Sequence, residues 1–189
     1  MENITGEYFL DADDELVDYL EKQGEECIKE AYHSNTVNIE NGYKLLNIQI
    51  VGIGSSFLLL TQKTNWDYLA VGIAAFTFLW TWCAIYLVHS GLSVNVRALI
   101  SAPPDSLYTK SFKSIDSDDH QWFRGNGYTG TEKTLPIIRR YRLADLCKTS
   151  KEMLVLNKRI RTHLDRARIM TILAPVVSIM ASAIAFCYL

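Results

Sequence analysis

Three stretches of this chain are crowded with apolar side chains and free of formal charge. Residues 45–62, 68–96 and 169–189 contain no Asp, Glu, Lys or Arg. An α-helix rises about 1.5 Å per residue, so roughly 20 apolar residues cross the hydrocarbon core of a bilayer. Residues 169–189 meet that length and residues 68–90 slightly exceed it. Residues 45–62 are short for a span and carry Asn47 and Gln49 near their start. Those amides suit the headgroup layer or the face of a partner helix.

The polar remainder has the period of amphipathic helices. Over residues 14–33, Leu16, Val17, Leu20, Gly24, Cys27, Ile28 and Ala31 fall on one face at spacings of three and four. Asp13, Asp14 and Glu15 crowd its first turn, where they favour the helix dipole. After Pro136, a seven-residue repeat runs through Leu143, Leu146, Ser150, Met153, Asn157, Ile160, Leu164 and Ala167. Ser150 and Asn157 weaken such a seam while fixing its register. No Gly or Pro occurs between Ile137 and Ala174, so this helix is predicted to continue into the third apolar segment.

The expected fold is therefore an all-α integral membrane protein, with a transmembrane hairpin and a third C-terminal span continuous with a long cytoplasmic helix. Its parts are an acidic amphipathic helix within 1–44 and a hairpin over 45–90, with spans 45–62 and 68–90. A basic region, 91–168, follows, with a loop insert 101–136 and a helix 137–168, and the last span is 169–189. Only residues 63–67 join the first two spans, which makes them antiparallel. Arg97 follows the second span, and Arg159, Arg161, Arg166 and Arg168 precede the third, whereas the hairpin tip holds only Lys63. The excess of positive charge places the N-terminus and residues 91–168 in the cytoplasm and the C-terminus on the far side. Trp66, Tyr68 and Tyr188 suit the far interface.

Charge sharpens this picture. Residues 1–44 hold 12 acidic and 3 basic side chains, and residues 91–168 hold 8 acidic and 15 basic. The two regions have the charge to attract each other, and the basic one also suits anionic lipid headgroups. The acidic helix needs an apolar partner, and docking on another helix of the chain fits its charge better than anionic lipid does.

Small residues mark the close approaches between helices. Ala174, Ser178 and Ser182 form one stripe in the last span, and Gly52 and Ser56 lie in the first. Such stripes serve packing within one chain or between copies. Pro175 removes a backbone donor and is a candidate hinge.

Little in the sequence points to catalysis. Cys27, Cys83, Cys147 and Cys187 are scattered, as are His33, His89, His120 and His163, and none has metal-ligand spacing. Asp116, Asp118, Asp119 and His120 read as a solvated turn. The insert reads as loops with short strands and contains Trp122, Phe123, Arg124, Gly125 and Gly127, a candidate ligand or partner contact. With Gly130, the glycines match the dinucleotide-binding spacing, but no strand precedes them and no helix opens there. No aromatic series accompanies the basic residues, so direct sequence-specific nucleic-acid binding is not expected. The first 40 residues are acidic and lack an apolar core, so no secretory signal is expected. The expectation is a non-enzyme without cofactors.

The layout resembles small bacterial antiphage-defence effectors: Pycsar-type and SLATT-type two-span effectors, and retron-associated two-span effectors. The resemblance rests on Glu40-Asn41-Gly42-Tyr43-Lys44 leading into the first span, the short hairpin tip, and Leu156-Asn157-Lys158-Arg159-Ile160 ahead of the last span. It is architectural, and the insert has no counterpart. It implies a multi-pass protein of the bacterial inner membrane with a periplasmic C-terminus. It also implies homo-oligomerisation and damage to the membrane when a trigger arrives, with growth arrest or cell death. The trigger would be a cyclic nucleotide, a defence-system protein or a ribonucleoprotein. The alternatives are a non-catalytic scaffold that tethers a soluble partner, or a phage holin-like protein.

Overall fold

The structure is a computed structural model, and it describes residues 9–93 and 109–188. Arg97 and the Pro103-Pro104 start of the insert lie outside the described residues. Among the described residues every regular element is helical.

Helix α1 spans Asp14–Thr61. The Asp13 carboxylate accepts from the Leu16 backbone N–H at 2.6 Å, and Asp14 and Glu15 fill the first turn. No proline interrupts its 48 residues, so the acidic amphipathic stretch and the first apolar segment form one helix. Asp67 then caps α2, Tyr68–Tyr86, by accepting from the Ala70 N–H at 2.8 Å, while Lys63 holds the same carboxylate at 2.7 Å. A π-helical turn, Leu87–Gly91, extends α2 and closes through the Leu92 N–H to the Leu87 carbonyl at 3.0 Å.

Two short helices follow: α3, Lys110–Lys113, and α4, Ser117–Gly125. The described part of the insert thus departs from the expected loops and strands. Asp116 and Asp119 form a reciprocal capping box, which turns the acidic run into a helix start. Helix α5, Thr134–Tyr188, is 55 residues long and contains Pro175. It begins slightly ahead of residue 137 because Pro136 is tolerated in a first turn.

By length and composition, three helices among the described residues are long and apolar enough to cross a membrane: α1, α2 with its π-turn, and α5.

The chain divides into two compact units, residues 1–33 with 96–155 and residues 34–95 with 156–189. In the first, Leu10, Phe123, Tyr128 and Ile137 form a core flanked by Phe112 and Ile115. Val17, Glu21, Ile28 and Ala31 of α1 are buried, as are Leu143 and Leu146 of α5. Gly24 meets Leu146, and Glu21 and Glu25 meet Arg139 and Arg142. Residue numbers rise together on the two helices, so they run parallel there. Leu16, expected on the buried face, is 45% exposed. The helix is turned so that Glu21 enters the seam, where the ion pairs hold it.

In the second unit, Leu87, Leu164 and Ala167 are buried together, with Leu45, Leu46, Tyr86 and Leu92 against them. Buried positions along α5 recur in steps of three and four: Asn157, Ile160, Leu164, Ala167, Thr171, Ala174 and Ser178. The seven-residue repeat thus extends past Ala167 into the apolar segment. Gln49 meets Thr171 at a separation of 122 residues, and Gly42 meets Leu164 at the same separation. In this unit too, α1 and α5 are parallel. Helix α2 runs antiparallel to α1, with Gly52 against Trp80 and Ser56 bonded to Thr77.

Candidate functional site

The first unit is organised around Arg140, which is 1% exposed. Its position on α5 aims the guanidinium at the segment that enters α1. Nε donates to the Phe9 carbonyl at 3.1 Å, and Nη1 donates to Asp14 at 2.9 Å and to the Pro136 carbonyl at 2.9 Å. Nη2 donates to the Ala12 carbonyl. The planar group also lies 4.7 Å over the Tyr128 ring. A guanidinium suits this role because its donors are fixed in a plane and it keeps its charge. Gly130 lies under the same cluster, and a Cβ there would come within 2.7 Å of Asp14 and 2.6 Å of the Tyr128 hydroxyl.

Around this hub lies an ion-pair clasp. Arg139 bonds Glu21 and Asp18, each at 2.6 Å, and Arg142 bonds Glu25. The acidic arm and the basic helix are therefore directly paired. Burial pushes the Asp14 carboxyl up, but hydrogen bonds from Arg140 and Thr131 outweigh it and leave its pKa below the ordinary value. Hydrogen bonds from Lys22 and then Arg139 hold Asp18 low as well. Arg139 is raised, chiefly by Glu21. Burial raises the Tyr128 hydroxyl and the Cys147 thiol, which makes both poor nucleophiles.

The aromatic–glycine run of the insert is divided by the fold. Phe123 is buried in the core, while Trp122 is 58% exposed. Arg124 pairs with Glu132 at 2.8 Å. Gly125 closes α4, and Gly127 takes the left-handed φ of +92° in the turn after it. Phosphate-binding glycines open a helix at its N-terminus. These end one, so the dinucleotide spacing has no matching geometry. Among the described residues, no group of His, Cys, Asp and Glu has the arrangement of a metal site.

The second unit holds a polar node between its apolar helices. Gln49 is fully buried, and its Nε2 donates to the Thr171 hydroxyl at 2.7 Å. That hydroxyl donates to the Ala167 carbonyl at 2.8 Å. The Trp80 indole N–H donates to the Thr171 carbonyl at 3.2 Å. In a regular helix that carbonyl would accept from the N–H four residues on. Here the residue is Pro175, which has none. Trp80 thus supplies, from α2, the donor that proline removes from α5.

Next to the node is an open groove of about 470 Å³ lined by Gly52, Ser56, Gly72, Pro175, Ser178 and Ser182 among others. The small residues are engaged within the chain. A Cβ on Gly52 would come within 1.9 Å of the Trp80 ring, and one on Gly72 within 2.9 Å of Ser182. Ser56 bonds Thr77, and Ser182 donates to the Tyr68 carbonyl at 2.8 Å. Ala174 and Ser178 are buried. Bulky substitutions at these positions therefore perturb the fold of one copy before any contact between copies.

Arg140, Glu21, Trp80 and Thr171 are the residues that sequence reasoning missed. The acid–base split pointed towards Arg140 and Glu21 without selecting them. A helical proline near a tryptophan on another apolar segment is the faint signal for Trp80.

These features define a protein whose described residues are helical throughout their regular elements, with three helices among them of membrane-crossing length and apolar character. Comparison with protein-family models, curated proteins and solved structures returns no match.

Proposed function

We propose that the chain is a membrane effector of a bacterial antiphage defence system, held at rest by the ion-pair clasp of its first unit. On this reading the N-terminus and the clasp lie in the cytoplasm, the three apolar helices cross the inner membrane, and the C-terminus is periplasmic. A trigger that opens the clasp lets copies assemble and perturb the bilayer. The trigger on this reading is a cyclic nucleotide, a defence protein or a ribonucleoprotein.

The observation that carries this reading is that α1 and α5 each run unbroken from charged into apolar sequence. Both partners of the clasp are thus covalently continuous with segments able to cross the membrane. Because the small-residue stripe is engaged within the chain, assembly would use the exposed apolar faces of the helices instead.

The test is inducible expression in bacteria with a voltage-sensitive dye. Arg139→Glu sets like charge against Asp18 and Glu21 and should depolarise cells without a trigger, while the parent protein stays quiet. Normal membrane insertion of Arg139→Glu with an unchanged potential would defeat the reading. The scaffold alternative is favoured by Leu16, Tyr19, Trp122 and Leu135, all exposed in the first unit. Co-purification of one stoichiometric soluble partner, with no change of potential, would establish it.

A further inference from the structure

We propose that Gln49 is a latent water-binding position: its amide oxygen is dry in the assembled second unit and is hydrated when the three helices part. The open-state half of this inference rests on the membrane-effector reading.

Gln49 exposes none of its surface. Its amide nitrogen is bonded to Thr171, but its Oε1 is buried with no hydrogen-bond partner. The nearby side-chain donors are committed elsewhere. The Thr171 hydroxyl spends its one proton on the Ala167 carbonyl, and the Trp80 indole spends its own on the Thr171 carbonyl. The next position along the α1 seam is Gly52, and the next along the α5 seam is Ala174, and neither side chain has a donor. The ligand this oxygen takes is therefore water, which the closed arrangement excludes.

A second observation supplies a route. On each helix the open groove begins within about one turn of the node. Gly52 follows Gln49, Phe76 precedes Trp80, and Pro175 follows Thr171, and all three line the groove. A modest parting of the helices joins the buried oxygen to that space. An acceptor unmet in the closed state and satisfied in the open one biases the equilibrium towards opening. In an apolar medium such a bias is about tenfold or more.

The experiment compares Gln49→Met with Thr171→Val in the purified full-length protein. Methionine keeps the length and removes the amide. Gln49→Met should raise the melting temperature, because the dry acceptor is gone. Thr171→Val should lower it, because the Gln49 amide nitrogen loses its acceptor as well. In proteoliposomes carrying Arg139→Glu, Gln49→Met should cut dye release about tenfold and Thr171→Val should increase it. If both substitutions lower the melting temperature, Gln49 is a plain tie between helices and the proposal is overturned. Equal dye release with and without Gln49→Met overturns it too. Liposomes that never leak defeat the effector reading and the open state with it, and the opposite melting shifts still decide whether the oxygen is a cost.

Discussion

Trp80→Phe should destabilise the second unit more when Pro175 is present than when it is replaced. The substitution removes one N–H and trims the indole to a single aromatic ring. In the parent chain it strands the Thr171 carbonyl, whose helical donor proline has deleted. Hydrogen bonds between membrane helices contribute about 0.6 kcal/mol on average and about 1.7 kcal/mol at most. This one, at 3.2 Å, falls within that range, at about 1 kcal/mol. Adding the lost ring area, Trp80→Phe should cost about 1–2 kcal/mol. In Pro175→Ala the backbone N–H restored at that position can reach the Thr171 carbonyl, and the cost of Trp80→Phe should shrink to the ring area alone. The coupling between the two sites is thus about 1 kcal/mol, measurable by reversible unfolding in mixed lipid–detergent micelles followed by far-ultraviolet circular dichroism. An equal cost of Trp80→Phe in both backgrounds, within about 0.3 kcal/mol, would refute the donor replacement.

Arg140→Met should cost about 3–5 kcal/mol, since it removes the buried guanidinium that pairs with Asp14 and donates to the Phe9, Ala12 and Pro136 carbonyls. Arg142→Met, at a 41% exposed side chain, should cost under about 1 kcal/mol, and hydrogen exchange of residues 9–33 reads both. Gly52→Ala should cost about 1–3 kcal/mol by driving a methyl into Trp80. Gly54→Ala, with nothing within 4 Å, should be neutral or slightly stabilising in the same melt. The folded Asp14 and Asp18 carboxyls titrate below their ordinary 3.8, so the folded state binds fewer protons in that range. Their contribution is complete above 3.8 and is lost as pH falls through the folded values. Protection of the arm that stays constant down to about pH 2 would contradict this.

Helical class and the apolar segments were legible because both follow from periodicity and charge, which any window of sequence displays. The seven-residue repeat was legible through Ala167, and the stripe of Ala174, Ser178 and Ser182 marked a packing face of the last span, but Thr171 between repeat and stripe was passed over. Thr171 continues the seam inside sequence that is apolar all round, where no polar face marks the buried side and its side chain is larger than the small residues of the stripe. Leu16 was placed on the wrong face for a related reason. Hydrophobicity favours it over Glu21, and only the position of Arg139 reveals that a carboxylate belongs in the seam. The insert was misjudged because its acidic run resembles a solvated turn, although Asp-x-x-Asp is also a helix cap. Trp80 was out of reach, since its role depends on a proline 95 residues away in the chain.

The polar residues of the seam have one physical logic in water and another in lipid. In water, apolar burial favours pairing of α1 with α5, and the Arg–carboxylate pairs select which faces meet. In lipid, apolar faces gain nothing by leaving the hydrocarbon, so packing alone gives little preference among registers. Polar side chains then decide the register. Sliding α1 one heptad along α5 would set Gln49 against Leu164 or Ser178 instead of Thr171, and would take Gly52 away from the space left for Trp80. The slip to Leu164 leaves the buried amide without an acceptor, whereas Ser178 offers a hydroxyl like that of Thr171, and either slip leaves a ring without its socket. A purely aliphatic seam would tolerate several registers. Gln49, Thr171 and Trp80 therefore exchange some stability for a single alignment. That makes the alignment sensitive to water, the one substance that can compete for those bonds.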